Sequence, residues 1–583
     1  MTTAIEDTWP KSQDTPIIFL GEWCRLYSAK ERWSRMNADV LPYHWDNRKK
    51  LYKDYQYLQG FYEQMLKTLS KELNEIHNID HSLRYWRILI GPWLGYFLQM
   101  LFDRWSSIDQ ALNSYAIEET AILDYPPQSL ISQGMEDFQD FFVSDEWNHF
   151  IYGQILQIKG NISFRHIKTD PFEIFRNRKK VRNSLKKSSI QLVGNFLSFF
   201  GSNDDFFFKS TYLPLLMQWE LELKLKQIPK LWHSIPGPVT TPDQKKRTWV
   251  IESDKSSEFE NFTKMLIPKI LPTLYLEGYK SLVDLTDKLP WPKNPKVIWT
   301  SNAAHSDDVF KAWAAGKVES GSKLIIGQHG GHYGIGKWYF NEEHEISISD
   351  KYFSWGWKDS SLPKVTAVGQ LKQTPPLSIN HADQQRLLMV CLTMPRYSYH
   401  MYSTIMSSQY LNYLDDQFTF VNTLPNSIQK KLTVRLYKKD WGWEQKERWN
   451  EKHPEIKLDS GQKNIKHLIA QSRIYVSTYN ATTFLESFSM NIPTVIFWNP
   501  NHWELRESAK PYFDSLKNVG IFHETPESAA NHIVTIWDNV DSWWNDLLTK
   551  NAVSNFCEMY ANTNTELLNR LSKEIRIISK GKL

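Results

Sequence analysis

Cysteine is scarce in this sequence. Cys24, Cys391 and Cys557 are the only three in 583 residues, and they lie far apart. They show neither a CxxC pair nor a metal-ligand spacing, so they exclude a disulfide framework and indicate a reducing cytoplasm. The sequence also contains no HExxH motif and no DxD directly after a strand pattern. We therefore expect neither a bound metal nor a cofactor.

Long apolar runs are absent as well. No stretch of about 18 apolar residues occurs, so no membrane-spanning helix is expected. The nearest candidate, residues 88–102, is interrupted by Gly91-Pro92 and by Gly95, and it predicts a buried pair of helices. The first residues show no basic region followed by an apolar one, so no signal peptide is expected.

An excess of one charge sign is also lacking, because the net charge is only +4. This value is too small to indicate a nucleic-acid partner. One stretch, residues 176–187, carries seven cations, and aromatic residues are frequent in the following 190–200. This order is typical of a segment that binds an anionic membrane surface. A charged helix beside a core helix explains the same pattern.

The chain does contain a clear alternation of strand and helix patterns. At 583 residues it is too long for one core, so two or three domains are expected. The first half has strand patterns at residues 16–21, 40–46, 296–300, 323–327 and 351–355. The second half has helix patterns between strand patterns at residues 386–393, 432–437, 473–477 and 493–498. This order predicts an α/β fold with two Rossmann-like domains facing across a cleft.

Composition shifts predict where these domains begin and end. The first domain spans residues 1–360 and contains a mostly helical insertion at about 118–289. Residues 361–385 are rich in proline and predict an interdomain linker. The second domain spans 386–540, and helices in 541–583 are expected to pack back onto the first domain.

A glycine-rich loop follows the strand pattern at 323–327. Its candidate binding residues are Gln328, His329, Gly330, Gly331 and Tyr333. Glycines directly after a strand let backbone N–H groups approach an anion with no Cβ in the way. We predict that this loop binds phosphate or a sugar, with His329 as a candidate general base. A glycine-rich turn that only connects two elements is the simpler alternative.

A second polar turn lies between the strand pattern at 473–477 and the next helix. Its candidate donor-binding residues are Ser477, Thr478, Asn480, Thr482, Thr483 and Glu486. Small hydroxyl residues leave backbone N–H groups and the helix dipole free to meet a phosphate, and Glu486 is placed to accept from ribose hydroxyls. An ordinary helix N-cap explains the same residues. Arg435, Lys438 and Asp440 lie at another strand end, where a cation would neutralise a diphosphate leaving group.

Polar side chains occupy further strand ends of the first half. They are Glu22 and Trp23, His44 and Asp46, and Asn302 and His305. Strand tips in a doubly wound sheet converge on one crevice, so we expect these side chains beside His329. Glu22 and Asp46 are then further candidates for the base or nucleophile, and the other four for acceptor contacts. A structural hydrogen bond is the alternative for each of them.

Several motifs together resemble one bacterial family. They are FLGEWC at 19–24, LPYHWDNR at 41–48, DHSLRYWRILIGPWL at 80–94, GQHGGHYG at 327–334 and STYNATTFLES at 477–487. The family is the group of surface-carbohydrate transferases first named from a leptospiral protein. The resemblance implies a GT-B architecture, similar also to capsule Kdo transferases and CDP-glycerol glycerophosphotransferases. His332 departs from the expected Gly-Gly-Gly pattern, and Lys438-Lys439 departs from an expected Pro-His.

The resemblance implies a role in the assembly of lipopolysaccharide or another surface polysaccharide. For the reaction we expect a metal-independent glycosyltransferase of lipopolysaccharide or capsule assembly. Its expected partners are a nucleotide sugar and a growing glycan, with no nucleic acid. We expect it in the cytoplasm, and at the inner face of the membrane with a lipid-linked acceptor if residues 176–200 bind there. Transfer of a polyol phosphate from a CDP-linked donor is the alternative reaction. A non-catalytic glycan-binding or assembly protein is the further alternative.

Overall fold

Helices and short parallel strands make up the protein. A computed structural model describes residues 1–160, 162–169, 205–252, 256–372, 384–563 and 565–581. The strands are β1 Ile17–Phe19, β2 Ala38–Val40, β3 Glu119–Asp124, β4 Ser163–Lys168, β5 Phe207–Phe208, β6 Val297–Thr300, β7 Lys323–Gly327, β8 Lys351–Ser354, β9 Val365–Ala367, β10 Arg386–Val390, β11 Leu432–Arg435, β12 Lys457–Asp459, β13 Ser472–Ser477, β14 Thr494–Phe497 and β15 Phe522–His523.

The α-helices surround these strands. They are α1 Lys30–Trp33, α2 Arg48–His77, α3 Leu83–Ser114, α4 Met135–Phe141, α5 Asp145–Lys159, α6 Leu215–Lys224, α7 Glu258–Ile270, α8 Tyr279–Lys288, α9 Ala303–Ser306, α10 Asp308–Glu319, α11 Phe340–Ile348, α12 Gln409–Thr423, α13 Asn426–Gln429, α14 Gln445–Lys452, α15 Ile465–Ala470, α16 Thr482–Ser489, α17 Lys510–Asn518, α18 Pro526–Ile536, α19 Val540–Asn545, α20 Leu547–Tyr560 and α21 Leu567–Ser579. Within the described residues, no helix is both long and apolar enough to cross a membrane.

Two parallel sheets form the centre of the fold. The first has the strand order β5-β6-β7-β8-β9, and the second has the order β12-β11-β10-β13-β14-β15. Strands such as β6 and β13 are buried along their whole length, as expected for parallel strands covered by helices on both faces. The predicted α/β class with two Rossmann-like sheets is therefore confirmed.

The strand order of the second sheet reverses between β10 and β13, although these two strands are parallel. Counted within this sheet, its order is 3-2-1-4-5-6, the order of the dinucleotide-binding fold. The hydroxyl of Thr478, just after β13, donates to the carbonyl of Val390 at the end of β10 (2.9 Å). Ligands of such sheets bind outside the carboxyl ends of the strands at this reversal.

The two N-terminal strands do not join the first sheet. β1 and β2 pair with each other in a sheet of their own, so the expectation that their ends share a crevice with β7 through one sheet is wrong. The strand predicted at 40–46 in fact ends at Val40. Pro42 has no N–H for a ladder, and the N–H of Asp46 bonds to the carbonyl of Tyr43 in a turn (3.0 Å).

Residues 88–102 lie in one continuous helix, α3, so the predicted helix pair is wrong. The glycines there allow close packing instead of breaking the helix. A Cβ on Gly91 would lie 2.6 Å from the ring of His344, and one on Gly95 would lie 1.8 Å from Phe340. Both neighbours belong to α11, so these glycines let α11 cross directly over α3.

The predicted helical insertion at 118–289 and linker at 361–385 both contain strands. β3 and β4 form a separate pair, and β5 is the edge strand of the first sheet beside β6. β9 lies in the linker segment and completes the other edge of that sheet. The basic segment 176–200 and residues 373–383 lie outside the described residues. The exact domain boundaries stay predictions.

Helices after residue 541 contact both halves. α21 packs against α6 and β6 of the first half, as predicted, whereas α20 packs against α16 and α17. Main-chain bonds also join the halves directly. The N–H of Lys337 donates to the carbonyl of Glu504, and the N–H of Arg506 donates to that of Ile335, each at 2.9 Å.

A buried ion pair reinforces this junction. Arg506 Nη2 lies 2.5 Å from Glu342 Oε1, and the Glu342 side chain is only 3% exposed. Glu342 Oε2 also accepts from the N–H of Gly334 in the glycine-rich loop (2.6 Å). The pair therefore couples α11, the loop and the second half.

We expect Arg506→Met to destabilise the protein by about 3 kcal/mol, because it leaves the Glu342 carboxylate buried without its cation. Thermal unfolding followed by circular dichroism measures the loss. Lys510→Met is the matched control, since Lys510 pairs with Glu507 on the surface at 2.6 Å. Its cost should stay below about 0.5 kcal/mol. Equal melting temperatures for the two variants would contradict the role of the Arg506–Glu342 pair.

Candidate active site

The glycine-rich loop after β7 touches the polar turn after β13. The N–H of Gly331 donates to Thr482 Oγ1 at 3.1 Å. A Cβ on Gly331 would lie 2.6 Å from both the carbonyl carbon and the oxygen of Ala481. Two backbones can approach this closely only where no side chain intervenes. The carboxyl edges of the two sheets therefore meet at this point, as the sequence predicted.

His329 lies at the edge of this contact, with 20% of its side chain exposed. Its Nε2 is 3.1 Å from the hydroxyl of Tyr333, and that hydroxyl donates to Glu345 Oε1 at 3.0 Å. The ring of Tyr212 lies 5.8 Å from the imidazole on another side. Burial lowers the pKa of His329 to about 4, so the imidazole is uncharged at neutral pH and has a free lone pair.

Gln328 shapes the loop from within. Its Oε1 accepts from the N–H of Trp355 and from Trp357 Nε1, each at 2.9 Å. Its Nε2 donates to the carbonyl of Gly330 (2.8 Å). Gln328 is 1% exposed and Tyr333 is 2% exposed. Both side chains bond within the protein, so the part of this loop open to a ligand is at His329 and Gly330.

The turn after β13 presents backbone to the crevice. Thr478 bonds Val390, Ser477 Oγ donates to the carbonyl of Tyr479, and Thr483 Oγ1 donates to the hydroxyl of Tyr479. These three hydroxyls therefore already bond to groups of the protein. α16 starts at Thr482, and its N-cap residue Ala481 makes no side-chain cap bond. The first amide N–H groups of α16 thus lack the partner that a capping side chain would supply.

Glu486 and Asn480 flank this helix start. Glu486 is 3% exposed, and its Oε1 lies 3.5 Å from Lys372 Nζ, a half-exposed cation from the first half. Asn480 is 2% exposed, and neither amide atom has a partner among the residues that the structure describes. Buried amides normally pair, so Asn480 has unused capacity to bind a water or a ligand.

Arg435 and Asp440, after β11, bond to other groups of the protein, whereas the sequence predicts that they bind the donor. Arg435 Nη1 pairs with Asp459 at 2.6 Å, and Nη2 donates to the carbonyl of Gly461 (3.2 Å). Asp440 accepts from the N–H groups of Glu444 and Gln445, so it stabilises the start of α14. Lys438 is exposed. Of the two predicted cations, Lys438 is the one without such a fixed carboxylate partner among the described residues.

Glu22 and Asp46 lie on a cavity whose lining does not include His329. This cavity of about 400 Å³ lies between the β1 and β2 loops and α12, and Gln409 and Asp415 also line it. Gln409 Nε2 donates to Asp46 Oδ1 (3.1 Å). Burial raises the pKa of Asp46. The structure thus separates the two predicted carboxylates from the loop contact.

Trp23 and His44 have structural partners. The carbonyl of Trp23 accepts from Arg396 Nη1 at 2.5 Å, and its side chain is 2% exposed. His44 Nε2 lies 3.1 Å from Asp103 Oδ1, and this ring is 4% exposed. Both side chains are too deeply buried to meet an acceptor in this structure.

Asn302 and His305 lie at the same sheet edge as His329. Both follow β6, the neighbour of β7, and Asn302 is exposed. Burial, Lys311 and His329 together lower the pKa of His305 to about 3. In the part of the chain that the structure describes, no group of three or more His, Cys, Asp or Glu side chains has a metal-binding arrangement.

Three residues of the site carry no local sequence signal. Tyr212 follows β5 in a segment that looked helical, Glu345 lies inside α11, and Lys372 follows β9. The positive φ of Tyr212 (67°) is visible only in three dimensions. An alignment of relatives would have been the signal for Glu345, since a carboxylate on a buried helix face is otherwise unexpected.

Comparison with known proteins gives one match over the whole chain. The profile of the LIC12162 family of transferases matches residues 1–575. No curated protein matches the chain.

Among solved structures, similar folds are found at low identity. They are a variant of the wall teichoic acid polymerase TagF (9% identity, 50% of this chain and 74% of that chain, TM-score 0.29), a UDP-forming α,α-trehalose-phosphate synthase from Burkholderia vietnamiensis (9%, 51% and 75%, 0.31), and WaaG, a glycosyltransferase involved in lipopolysaccharide biosynthesis (10%, 51% and 95%, 0.27).

We expect Gly331→Ala to destabilise the protein by about 1–3 kcal/mol, since its Cβ would overlap the Ala481 carbonyl. Urea unfolding measures this cost. Gly316→Ala is the matched control, because a Cβ on this glycine of α10 would meet no atom within 4 Å. That variant should be neutral or more stable by up to about 1 kcal/mol. Equal stability of both variants would show that the loop contact is looser than described.

The buried histidines predict a loss of stability in acid. Burial and Arg506 lower the pKa of His332 from 6.5 to about 3, so the unfolded chain takes up a proton before the folded one does. Stability should therefore fall as the pH drops below 6.5, by about 2 kcal/mol at pH 5 for this residue alone.

His332→Phe tests this assignment. The imidazole lies edge-on to Tyr339 and Tyr402 at 5.4 and 5.2 Å, a packing that a phenyl ring can retain. The variant should lose less stability than the wild type between pH 7 and pH 5 in parallel thermal melts. Identical slopes would assign the acid sensitivity to other groups.

Proposed function

Since this chain belongs to the LIC12162 family of transferases, we propose that it is a glycosyltransferase that moves a sugar from a nucleotide-activated donor to a growing cell-surface glycan. The contact between Gly331 and Thr482 carries this proposal. It brings a histidine at the end of one parallel sheet against a helix N-terminus at the reversal point of another. A donor bound at the second sheet would thus present its reactive carbon to groups of the first.

The N-terminus of α16 is the proposed site for the donor phosphates. Its first amides lack a side-chain cap, and the helix dipole favours negative charge there. Peptide N–H groups can hold a diphosphate in this way without a metal, so the proposed reaction is metal-independent. Lys372 and Lys438 are the cations available to offset charge on the leaving nucleotide.

Glu486 is the proposed contact for the ribose. It lies within α16, and its carboxylate can accept from two neighbouring hydroxyls. The unpaired amide of Asn480, the residue just before the N-cap, is the proposed contact for the donor sugar or its phosphate. These assignments follow from position and hydrogen-bonding capacity.

His329 is the proposed general base. Its uncharged imidazole would take the proton of the acceptor hydroxyl while that oxygen bonds to the anomeric carbon. The bond between this carbon and the donor phosphate breaks in the same process, and its electrons leave with the nucleotide. Asn302 and the ring of Tyr212, on the neighbouring strand ends, are proposed to contact the acceptor glycan.

The proposed setting is the inner face of the cytoplasmic membrane, where surface glycans are extended on lipid carriers. The basic residues 176–187 support membrane contact by their charge alone. The acceptor would then be lipid-linked.

A thermal-shift screen with UDP, GDP, CDP, CMP and dTDP tests donor binding. We expect nucleotides with one particular nucleobase to stabilise the folded protein. At a nucleotide concentration 100 times the Kd, the gain should be about 2.7 kcal/mol, since only the folded state binds the nucleotide. Stabilisation by CDP or CMP would direct the next assays to CMP-sugars and CDP-linked polyols. No stabilisation by any nucleotide would favour a non-catalytic glycan-binding protein.

Glu486→Gln should weaken binding of the stabilising nucleotide about 10-fold, because a ribose hydroxyl loses a charged acceptor. Isothermal titration measures the change. Glu527→Gln, on the exposed first turn of α18, is the matched control and should leave the affinity unchanged. Equal affinities for all three proteins would remove Glu486 from the proposed site.

A further inference from the structure

Three side chains form a continuous hydrogen-bonded line into the core. The hydroxyl of Tyr333 lies between His329 Nε2 (3.1 Å) and Glu345 Oε1 (3.0 Å). Glu345 Oε1 is 3.8 Å from His329 Nδ1, which is too far for a direct hydrogen bond. Tyr333 is therefore the link through which α11 holds the imidazole.

Burial of the Glu345 carboxyl group is energetically unfavourable. Glu345 is 7% exposed, and its Oε2 has no hydrogen-bond partner among the described residues. A buried carboxyl oxygen without a hydrogen-bond partner is energetically unfavourable. Leucine or methionine at this position would avoid this penalty.

We propose that Tyr333 and Glu345 are positioning residues that hold His329 in one orientation and one tautomer for proton transfer. This inference rests on the proposed function of His329 as general base. Tyr333 donates its single hydroxyl hydrogen to Glu345 Oε1, so its oxygen must accept from His329 Nε2–H. The proton of the neutral ring is then on Nε2, and the lone pair is on Nδ1, a buried atom without a partner among the described residues.

This line keeps its direction when Glu345 is ionised or when it carries its proton on Oε2. A protonated carboxyl group with its hydrogen on Oε2 still accepts at Oε1. Burial raises the pKa of Glu345 well above its usual value, with Glu342 adding to the effect. The line therefore orients His329 by hydrogen bonding, and a charge on Glu345 is not required.

The surroundings supply no other charged partner for the imidazole among the described residues. The titratable groups packed around the line are Glu342 on α11, Tyr339 before it, Tyr352 on β8, Tyr212 after β5 and His305 after β6. Burial raises the pKa of Tyr352 well above its usual value, and the pKa of Tyr339 is raised in the same direction. Both phenols therefore stay neutral across the physiological range.

The direct test is the tautomer of His329 in protein labelled with ¹⁵N-histidine. The signals of His329 are identified by their loss in His329→Gln, and the experiment needs no ligand. We expect one tautomer with hydrogen on Nε2 in the wild type and in Glu345→Gln, whose amide oxygen still accepts from Tyr333. Tyr333→Phe and Glu345→Leu should give a mixture of tautomers. An unchanged tautomer in Tyr333→Phe would overturn the proposal.

Transfer assays with the donor found by nucleotide screening give a second readout. Tyr333→Phe and Glu345→Leu should lower kcat about 10-fold or more with little change in KM for the donor, and Glu345→Gln should keep most of the activity. Tyr352→Phe is the matched control, since this buried hydroxyl has no partner in the described part of the chain. Full activity of Tyr333→Phe, or an equal loss in Tyr352→Phe, would also overturn the proposal.

The two proposals can fail separately. If no nucleotide binds the wild type, the proposed glycosyl transfer fails, but the tautomer experiment still shows whether Tyr333 and Glu345 orient His329. If nucleotides bind and the tautomer does not respond to Tyr333→Phe, only the positioning role fails.

Discussion

The close approach of two backbones at Gly331 is the constraint on which the site depends. Gly331 lies against the Ala481 carbonyl with no room for a Cβ, and its N–H bonds the Thr482 side chain. The ion pair of Arg506 with Glu342 and the main-chain bonds around Lys337 hold the same junction. The carboxyl edges of the two parallel sheets thus meet here, and His329 lies in the loop that contacts the start of α16.

Burial keeps this junction almost free of net charge. His305, His329 and His332 all have pKa values lowered by burial, so their rings are neutral at neutral pH. His400 stacks between Tyr96 and Tyr402 at 4.8 and 4.6 Å. Neutral imidazoles can pack as aromatic rings and still offer hydrogen bonds.

Several elements could be predicted from the sequence because local signals agree. β7, β10 and β13 are apolar runs that end at glycine or small polar residues, and these runs are buried strands in the structure. The site loops after β7 and β13 were found for the same reason. The helix break predicted at the glycines of α3 is wrong, because glycine is found both at helix ends and where two helices cross closely. The strand at 40–46 was misplaced because Pro42 ends the ladder that begins at Ala38.

The sequence by itself determined the α/β class, the two strand-rich halves and the two loops that meet, since each depends on periodicity and on residues that favour turns. Only the tertiary structure decided which strands share a sheet. A three-residue apolar strand such as β1 carries no information about its partner. The tertiary structure also decided that Glu22 and Asp46 line a cavity without His329, and that Tyr212 and Glu345 lie beside His329. Such contacts join residues far apart in the chain, so they depend on how whole elements pack and not on any local pattern.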